Sequence, residues 1–252
     1  MLPKERLQII SQMAMEENTV YVSELSKKLN VSEETIRRDL EKLEVQEIVI
    51  RSYGGAVLNP KKLINNKPFY SMGKTNIENE KYIARKAVDC IKEGSTIVVN
   101  SSSTALEVLK FIKNRKGVTV VTNSIMVLQE LSQSNLNIIS TGGSVNPKSL
   151  SFEGSITQNT IKKYNVDIAL IDCQGMDISK GILDSNEVEV EIKRTMIKQA
   201  DKVILLAEHT KFDKKSLVKL LDYEDIDCIV TDREPREEWM NLLHSHNIES
   251  IY

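Results

Sequence analysis

From residue 77 onward the chain repeats one pattern: a short run of Val, Ile, Leu and Thr, then a polar turn, then in most cases a stretch with helical spacing. The apolar runs fall at 96–100, 118–122, 136–140, 166–172, 203–207, 226–231 and 248–252. Runs of this length read as strands buried on both faces, and strands that alternate with helices build a largely parallel sheet covered on either side. The pattern therefore predicts a Rossmann-like α/β domain over residues 76–252. In such a sheet, ligands bind in the crevice beyond the carboxyl ends of the strands. The domain's first helix is marked by Ile83, Ala84, Ala87, Val88 and Ile91, which share one face.

Residues 1–58 read differently. A helix over 3–16 has Pro3 near its start and Leu7, Ile10, Met13 and Ala14 as its buried stripe, and 19–22 forms a short strand. A helix over 23–29, with Leu25 and Leu29 one turn apart, is separated by Asn30-Val31-Ser32 from a second helix running through Leu43. That is helix-turn-helix spacing. Ser32 is the expected N-cap; Ile36, Leu40 and Leu43 fall on one narrow face, Glu34, Thr35, Arg38 and Glu41 on the opposite one, and Arg37 on the flank. An amphipathic pair in an ordinary core would show the same spacing, and the following chain decides between them. Two β-prone runs around Gly54-Gly55 predict a hairpin over 48–58. Three helices closed by a hairpin make a winged helix-turn-helix, whose second paired helix enters the major groove of double-stranded DNA.

Residues 59–75, with Pro60, Lys61, Lys62, Lys67, Pro68 and Gly73, lack periodicity and read as a linker. Charge counts against a simple DNA-binding footprint, because residues 1–60 carry eight basic and ten acidic side chains. The cations Arg37, Arg38, Lys42 and Arg51, with Lys27 and Lys28, must then gather on one side. No apolar run of the 252-residue chain reaches membrane-spanning length and the N-terminus lacks a secretory apolar region, so a cytoplasmic protein without a membrane partner is expected. Cys90, Cys173 and Cys228 lack the paired spacing of a zinc site, and His209, His244 and His246 do not supply it. No metal or cofactor is expected.

The strand ends carry the chemistry. The first is followed by Asn100-Ser101-Ser102-Ser103-Thr104, the second by Asn123-Ser124 after Thr122, and the third by Thr141-Gly142-Gly143-Ser144. Hydroxyls and free N–H groups at a helix N-terminus suit a phosphate, because the helix dipole and the unpaired donors both favour negative charge. Each turn alone reads first as a good helix cap; three in one crevice reverse that preference and favour an anion site. Lys211, just past another strand with Glu208, reads by itself as a solvated lysine.

The run Thr35-Ile36-Arg37-Arg38-Asp39-Leu40, then Leu43-Glu44, Arg51 and Gly54-Gly55-Ala56, resembles the DNA-binding signature of the DeoR-type family of bacterial transcription regulators. Glu47 stands where that family usually has Gly, and Tyr53 where it usually has His. Residues 76–252 resemble the family's sensor domain, a fold related to ribose-5-phosphate isomerase and coenzyme A transferases. Here Asn100 to Thr104 is similar to an Asp-Ser-Gly-Thr-Thr turn, and Thr122-Asn123-Ser124, Gly142-Gly143, Gly154, Gly181 and Lys211-Phe212 are similar to the other marked positions. Asn100 and Ser102 replace the usual Asp and Gly, and Glu208 the usual Asp.

The resemblance implies a repressor of a sugar-utilisation operon that leaves operator DNA when a phosphorylated sugar binds. Two half-sites call for a homodimer or homotetramer. The DNA-facing set is then Ser32, Glu34, Thr35, Arg37, Arg38, Lys42, Arg51, Gly54 and Gly55. The effector set is Asn100, Ser101, Ser102, Ser103, Thr104, Thr122, Asn123, Ser124, Gly142, Gly143, Glu208 and Lys211, the last included through the resemblance. The competing reading is an isomerase-like enzyme with Glu208 or Asp184 as base and Lys211 as electrophilic helper. Asn100 cannot act as a base and catalysis leaves a DNA-reading head unexplained, so an enzyme is not expected.

Overall fold

The computed structural model describes residues 6–7, 9–11, 13–14, 19–46, 48–59 and 74–252. The chain divides into two compact units, Met1–Gly73 and Lys74–Tyr252. Glu47 and residues 60–73 of the expected linker lie outside the described residues.

In the first unit, residues 6, 7, 9–11, 13 and 14 are helical (α1) and precede β1 (Thr19–Tyr21), α2 (Val22–Leu29), α3 (Glu33–Val45), β2 (Val49–Ser52) and β3 (Gly55–Leu58). Asn30 ends α2 in the left-handed region, which Asn tolerates better than most residues, and Ser32 caps α3 by accepting from Thr35 N. Ile10, Ala14, Leu25, Ile36, Leu40 and Leu43 close the core together, as their spacing requires.

Two features depart from the sequence reading. The turn of the hairpin is Tyr53-Gly54, with Gly54 at φ +83, and not Gly54-Gly55. Gly55 instead begins β3, which pairs with β1 as well as β2, and a Cβ there would lie 2.2 Å from Val20 O. Its lack of a side chain is what lets the third strand join the wing. The second feature is an unforeseen buried ion pair: Arg6 Nε lies 2.5 Å from Asp39 Oδ2, with both residues buried. Asp39 precedes Leu40 on the inner face of α3, so the pair ties α1 to that helix. Its hydrogen bond to the guanidinium holds Arg6 above its ordinary pKa.

The second unit opens with α4 (Lys74–Ala87), which tightens into a 3-10 turn at Val88–Cys90 where a continuous helical face was expected. Then come β4 (Thr96–Val99), α5 (Ser103–Ile112), β5 (Thr119–Thr122), α6 (Ile125–Leu131), β6 (Asn137–Ser140), β7 (Ser144–Asn146), β8 (Ser151–Glu153), α7 (Ser155–Ile161) and β9 (Val166–Asp172). The chain continues through β10 (Gly175–Asp177), β11 (Gly181–Asp184), α8 (Glu187–Ile197), β12 (Ala200–Leu206), β13 (Val218–Leu221), β14 (Cys228–Val230), α9 (Glu237–Ser245) and β15 (Glu249–Ile251).

Seven strands form one parallel sheet in the order β15-β14-β12-β9-β4-β5-β6. They are the seven apolar runs. β7 with β8, and β10 with β11 and β13, are antiparallel additions. The sheet winds outward from β4 to β6 in one direction and from β9 to β15 in the other, so its direction reverses between β4 and β9. That junction is a topological switch point, where the connecting segments diverge and leave a crevice beyond the strand ends.

The Arg6–Asp39 pair gives a test of the first unit. Asp39→Ala leaves a buried guanidinium without a partner and should cost about 3–5 kcal/mol. Hydrogen exchange of the intact protein should show lost protection over 19–58 and unchanged protection over 96–251; unchanged protection in both would remove the pair's structural role.

Candidate DNA-binding face and effector crevice

Helix α3 presents Glu34, Arg37, Arg38, Lys42 and Glu41 on its exposed side, with Thr35 partly buried. Each arginine is held by an acid one turn earlier: Arg37 Nη2 is 2.9 Å from Glu33 Oε2, and Arg38 Nε is 3.3 Å from Glu34 Oε1. The Thr35 hydroxyl is 2.8 Å from that of the cap Ser32. Glu44 reaches the wing, accepting from Arg51 N at 3.0 Å. A cleft between α3 and the wing brings Arg37, Arg51, Tyr53, Gly54 and Gly55 together. The cleft thus carries two guanidinium groups, each paired with a glutamate. Tyr53 stands fully exposed at the wing tip.

In the second unit, polar side chains meet at the switch point. Asn100, at the end of β4, donates from Nδ2 to Asp172 Oδ1 at the end of β9, at 2.8 Å. Lys193, on α8 and 4% exposed, lies 2.6 Å from Asp172 Oδ1 and 2.7 Å from Asp184 Oδ2. Burial alone would raise the proton affinity of Asp172; the Lys193 ammonium and then the Asn100 amide outweigh it and hold the carboxyl below its ordinary pKa. The same two carboxylates hold Lys193 above the usual lysine range despite its burial. Lys211 Nζ is 3.4 Å from Gln174 Oε1, just beyond β9. Glu208, two residues past β12, is pushed up by burial.

The strand-end turns divide between structure and site. Ser102 and Ser124 cap α5 and α6 by accepting from Ala105 N and Val127 N, and Thr122 donates to Val99 O while accepting from Ser124 N. Ser101 donates to Ser149 O, Ser103 to Glu80 Oε1, and Thr104 is buried in the first turn of α5. The hydroxyls of Ser101, Ser102, Ser103, Thr122 and Ser124 are therefore already engaged. Gly142 and Gly143 follow β6, the outermost strand, and serve packing: Gly142 O accepts from Thr157 Oγ1, and a Cβ on Gly143 would lie 2.3 Å from that same oxygen. Lys193 was missed, as was Glu80.

One pattern sets this edge apart. The buried side-chain atoms without a hydrogen-bond partner, among the described residues, are Asn100 Oδ1, Asn123 Oδ1, Glu208 Oε2 and Thr231 Oγ1. They lie just past the ends of β4, β5, β12 and β14, on one edge of the sheet. Both asparagines are fixed in orientation, because Nδ2 of each faces an acceptor, Asp172 Oδ1 for Asn100 and Phe152 O for Asn123.

Residues 6–62 match the DeoR-like helix-turn-helix domain, and residues 75–233 match the DeoR C terminal sensor domain. The chain belongs to the DeoR family. It is a DNA-binding transcription regulator with a C-terminal sensor domain. It is similar to the HTH-type transcriptional regulator YulB of Bacillus subtilis, at 37% identity over 92% of this chain and 90% of that one. It is 34% identical to GolR of Listeria innocua over 93% and 92% of the two chains, and 29% identical to the glycerol-3-phosphate regulon repressor of Escherichia coli over 95% of each. Among solved structures, ribose 5-phosphate isomerase A from Methanocaldococcus jannaschii aligns with 56% of each chain at 17% identity and a TM-score of 0.42.

In this DeoR-family sensor domain the central charge cluster should be visible in the pH dependence of stability. The lowered pKa of Asp172 means that its stabilising contribution is present above the unfolded carboxyl value, about pH 4, and is lost as the pH falls below it. Lys193→Met leaves two carboxylates without their cation and should cost about 3–5 kcal/mol near neutrality. Protonation then relieves the variant, so its deficit should shrink between about pH 7 and pH 4. Urea unfolding followed by the buried Trp239 measures this; parallel pH profiles for variant and wild type would contradict it.

Proposed function

We propose that this regulator represses a sugar-utilisation operon, binding operator DNA as a homodimer or homotetramer through α3 and the wing. A phosphorylated sugar in the crevice beyond β12, β9, β4 and β5 would release it. The observation that carries this reading is the row of unpaired buried polar atoms at that edge. A buried acceptor without a donor costs about 1–3 kcal/mol, and a native sheet that concentrates several at its switch point is suited to a ligand that supplies them. Sugar hydroxyls are such donors, and Lys211 with the N-terminus of α5 supplies positive potential for a phosphate. The names of two relatives point the same way, a glycerol-3-phosphate regulon repressor and an aga operon transcriptional repressor, while a third, an L-fucose operon activator, shares the operon class and not the sign. Against isomerisation, Asp184 is fully buried in its ion pair with Lys193 and so is poorly placed as a base.

The DNA-facing roles divide by position on α3. Arg38→Ala, which removes a side chain opposite the core face, should cost about 1–3 kcal/mol on operator and little on random DNA. Arg37→Ala, at the cleft, should weaken both alike through a lost phosphate contact. Equal losses on both DNAs for Arg38→Ala would rule it out as a base reader.

For the crevice, a thermal-shift screen of the intact protein with sugar phosphates should find a ligand that raises the melting temperature. Lys211→Ala should leave operator binding without effector near normal while raising the concentration of that ligand needed for release. Loss of operator binding by the folded variant, or an unchanged effector response, would remove Lys211 from the site.

A further inference from the structure

Glu80 had no place in the sequence reading. It lies on α4 and is 7% exposed, and its Oε1 accepts from Ser103 Oγ at 2.5 Å. Ser103 is the first residue of α5, directly after the cap Ser102. The dipole of that helix favours a negative charge beside its first turn, and the Glu80 carboxylate is held there through the Ser103 hydroxyl. A second feature of the same strand end points to a ligand: Asn100 Oδ1, 4% exposed and fixed in orientation by Asp172, has no donor.

We infer that the Glu80 carboxylate occupies the place of the effector's phosphate and is expelled when the phosphate arrives, so that helix α4 reports occupancy of the crevice. This rests on reading the crevice as a sugar-phosphate site. The carboxylate is poorly suited to stay: burial raises its proton affinity, and Glu208, Glu107 and Asp172 raise it further, against the single hydroxyl of Ser103. A phosphate brings more charge and more acceptor oxygens to the same donors. The two anions cannot share the helix end, since like charges at such range repel strongly in a buried site. Helix α4 packs along α5 and begins at Lys74, immediately after the residues that join it to the DNA-binding unit. Loss of the Glu80–Ser103 tether therefore acts on the element nearest in sequence to the head. A ligand shifts a conformational equilibrium only through such a contact that differs between the two states.

The test uses the full-length protein with inorganic phosphate as probe. Glu80→Ala removes the competing anion, and Glu80→Gln keeps a hydrogen-bonding group at Ser103 without the charge, so it serves if the alanine variant folds poorly. Thermal shift against phosphate concentration should show phosphate binding about tenfold tighter in Glu80→Ala and intermediate in Glu80→Gln. Fluorescence anisotropy without phosphate should show weaker operator binding in Glu80→Ala, because the tether that the effector breaks is already absent. If wild type responds to phosphate and neither variant binds it more tightly, Glu80 is not a stand-in and the inference falls alone. If neither wild type nor variants respond to phosphate or to any sugar phosphate, the reading of the crevice falls with it.

Discussion

The sensor domain depends on where one ammonium sits. Lys193 comes from α8, the carboxylates it bridges come from β9 and β11, and Asp172 in turn receives the Asn100 amide from β4. The two halves of the sheet, which wind in opposite directions, are thereby joined by polar bonds at the point where they diverge. A buried charge cluster of this kind adds little net stability compared with apolar packing, but it is costly to disrupt in part. Its effect is on arrangement: it fixes Asn100 with its amide turned inward and its carbonyl oxygen left over, and Asp172 adds to the burial and the carboxylates of Glu208 and Glu107 that make Glu80 an uncomfortable neighbour. The crevice is thus built around unmet demands that a polyhydroxylated anion would satisfy.

In the DNA-binding unit, pairing also resolves the charge problem. The acids that make the segment net negative include Glu33, Glu34 and Glu44, and these are the partners of Arg37, Arg38 and Arg51. Exposed pairs of this kind contribute only about 0–1 kcal/mol, so under the proposed docking a DNA phosphate would displace the acids at small cost. Asp39, by contrast, faces inward to Arg6 and is removed from the surface altogether. The formal charge of a small domain is a poor guide to its footprint when its acids are distributed in this way.

Much of this was legible in the residues. The seven parallel strands came from apolar runs bounded by polar turns, whereas β7, β8 and β10 read Ser-Val-Asn, Ser-Phe-Glu and Gly-Met-Asp and show no such run. The turn in the wing was misplaced by one residue because two glycines looked interchangeable; only pairing with β1 distinguishes the one that turns from the one that must lack a Cβ. Lys193 was overlooked as an ordinary helical lysine. Its signal was present: Val190 and Met196 lie three residues to either side, so it interrupts an apolar stripe. Asn100, Asn123 and Glu208 were recognised as polar strand ends, whereas the capping duties of Ser102 and Ser124 were legible only as the alternative use of the same residue types.

The central claim is that the strand ends at the switch point receive the effector and that α4 carries the response toward the head. Hydrogen exchange of the intact protein, with and without the sugar phosphate giving the largest thermal shift, tests it most directly. The account predicts slower exchange over 100–104, 172–174 and 207–211, together with faster exchange over 74–87. Slower exchange confined to other parts of the chain, or a protected crevice with α4 unchanged or more protected, would contradict it.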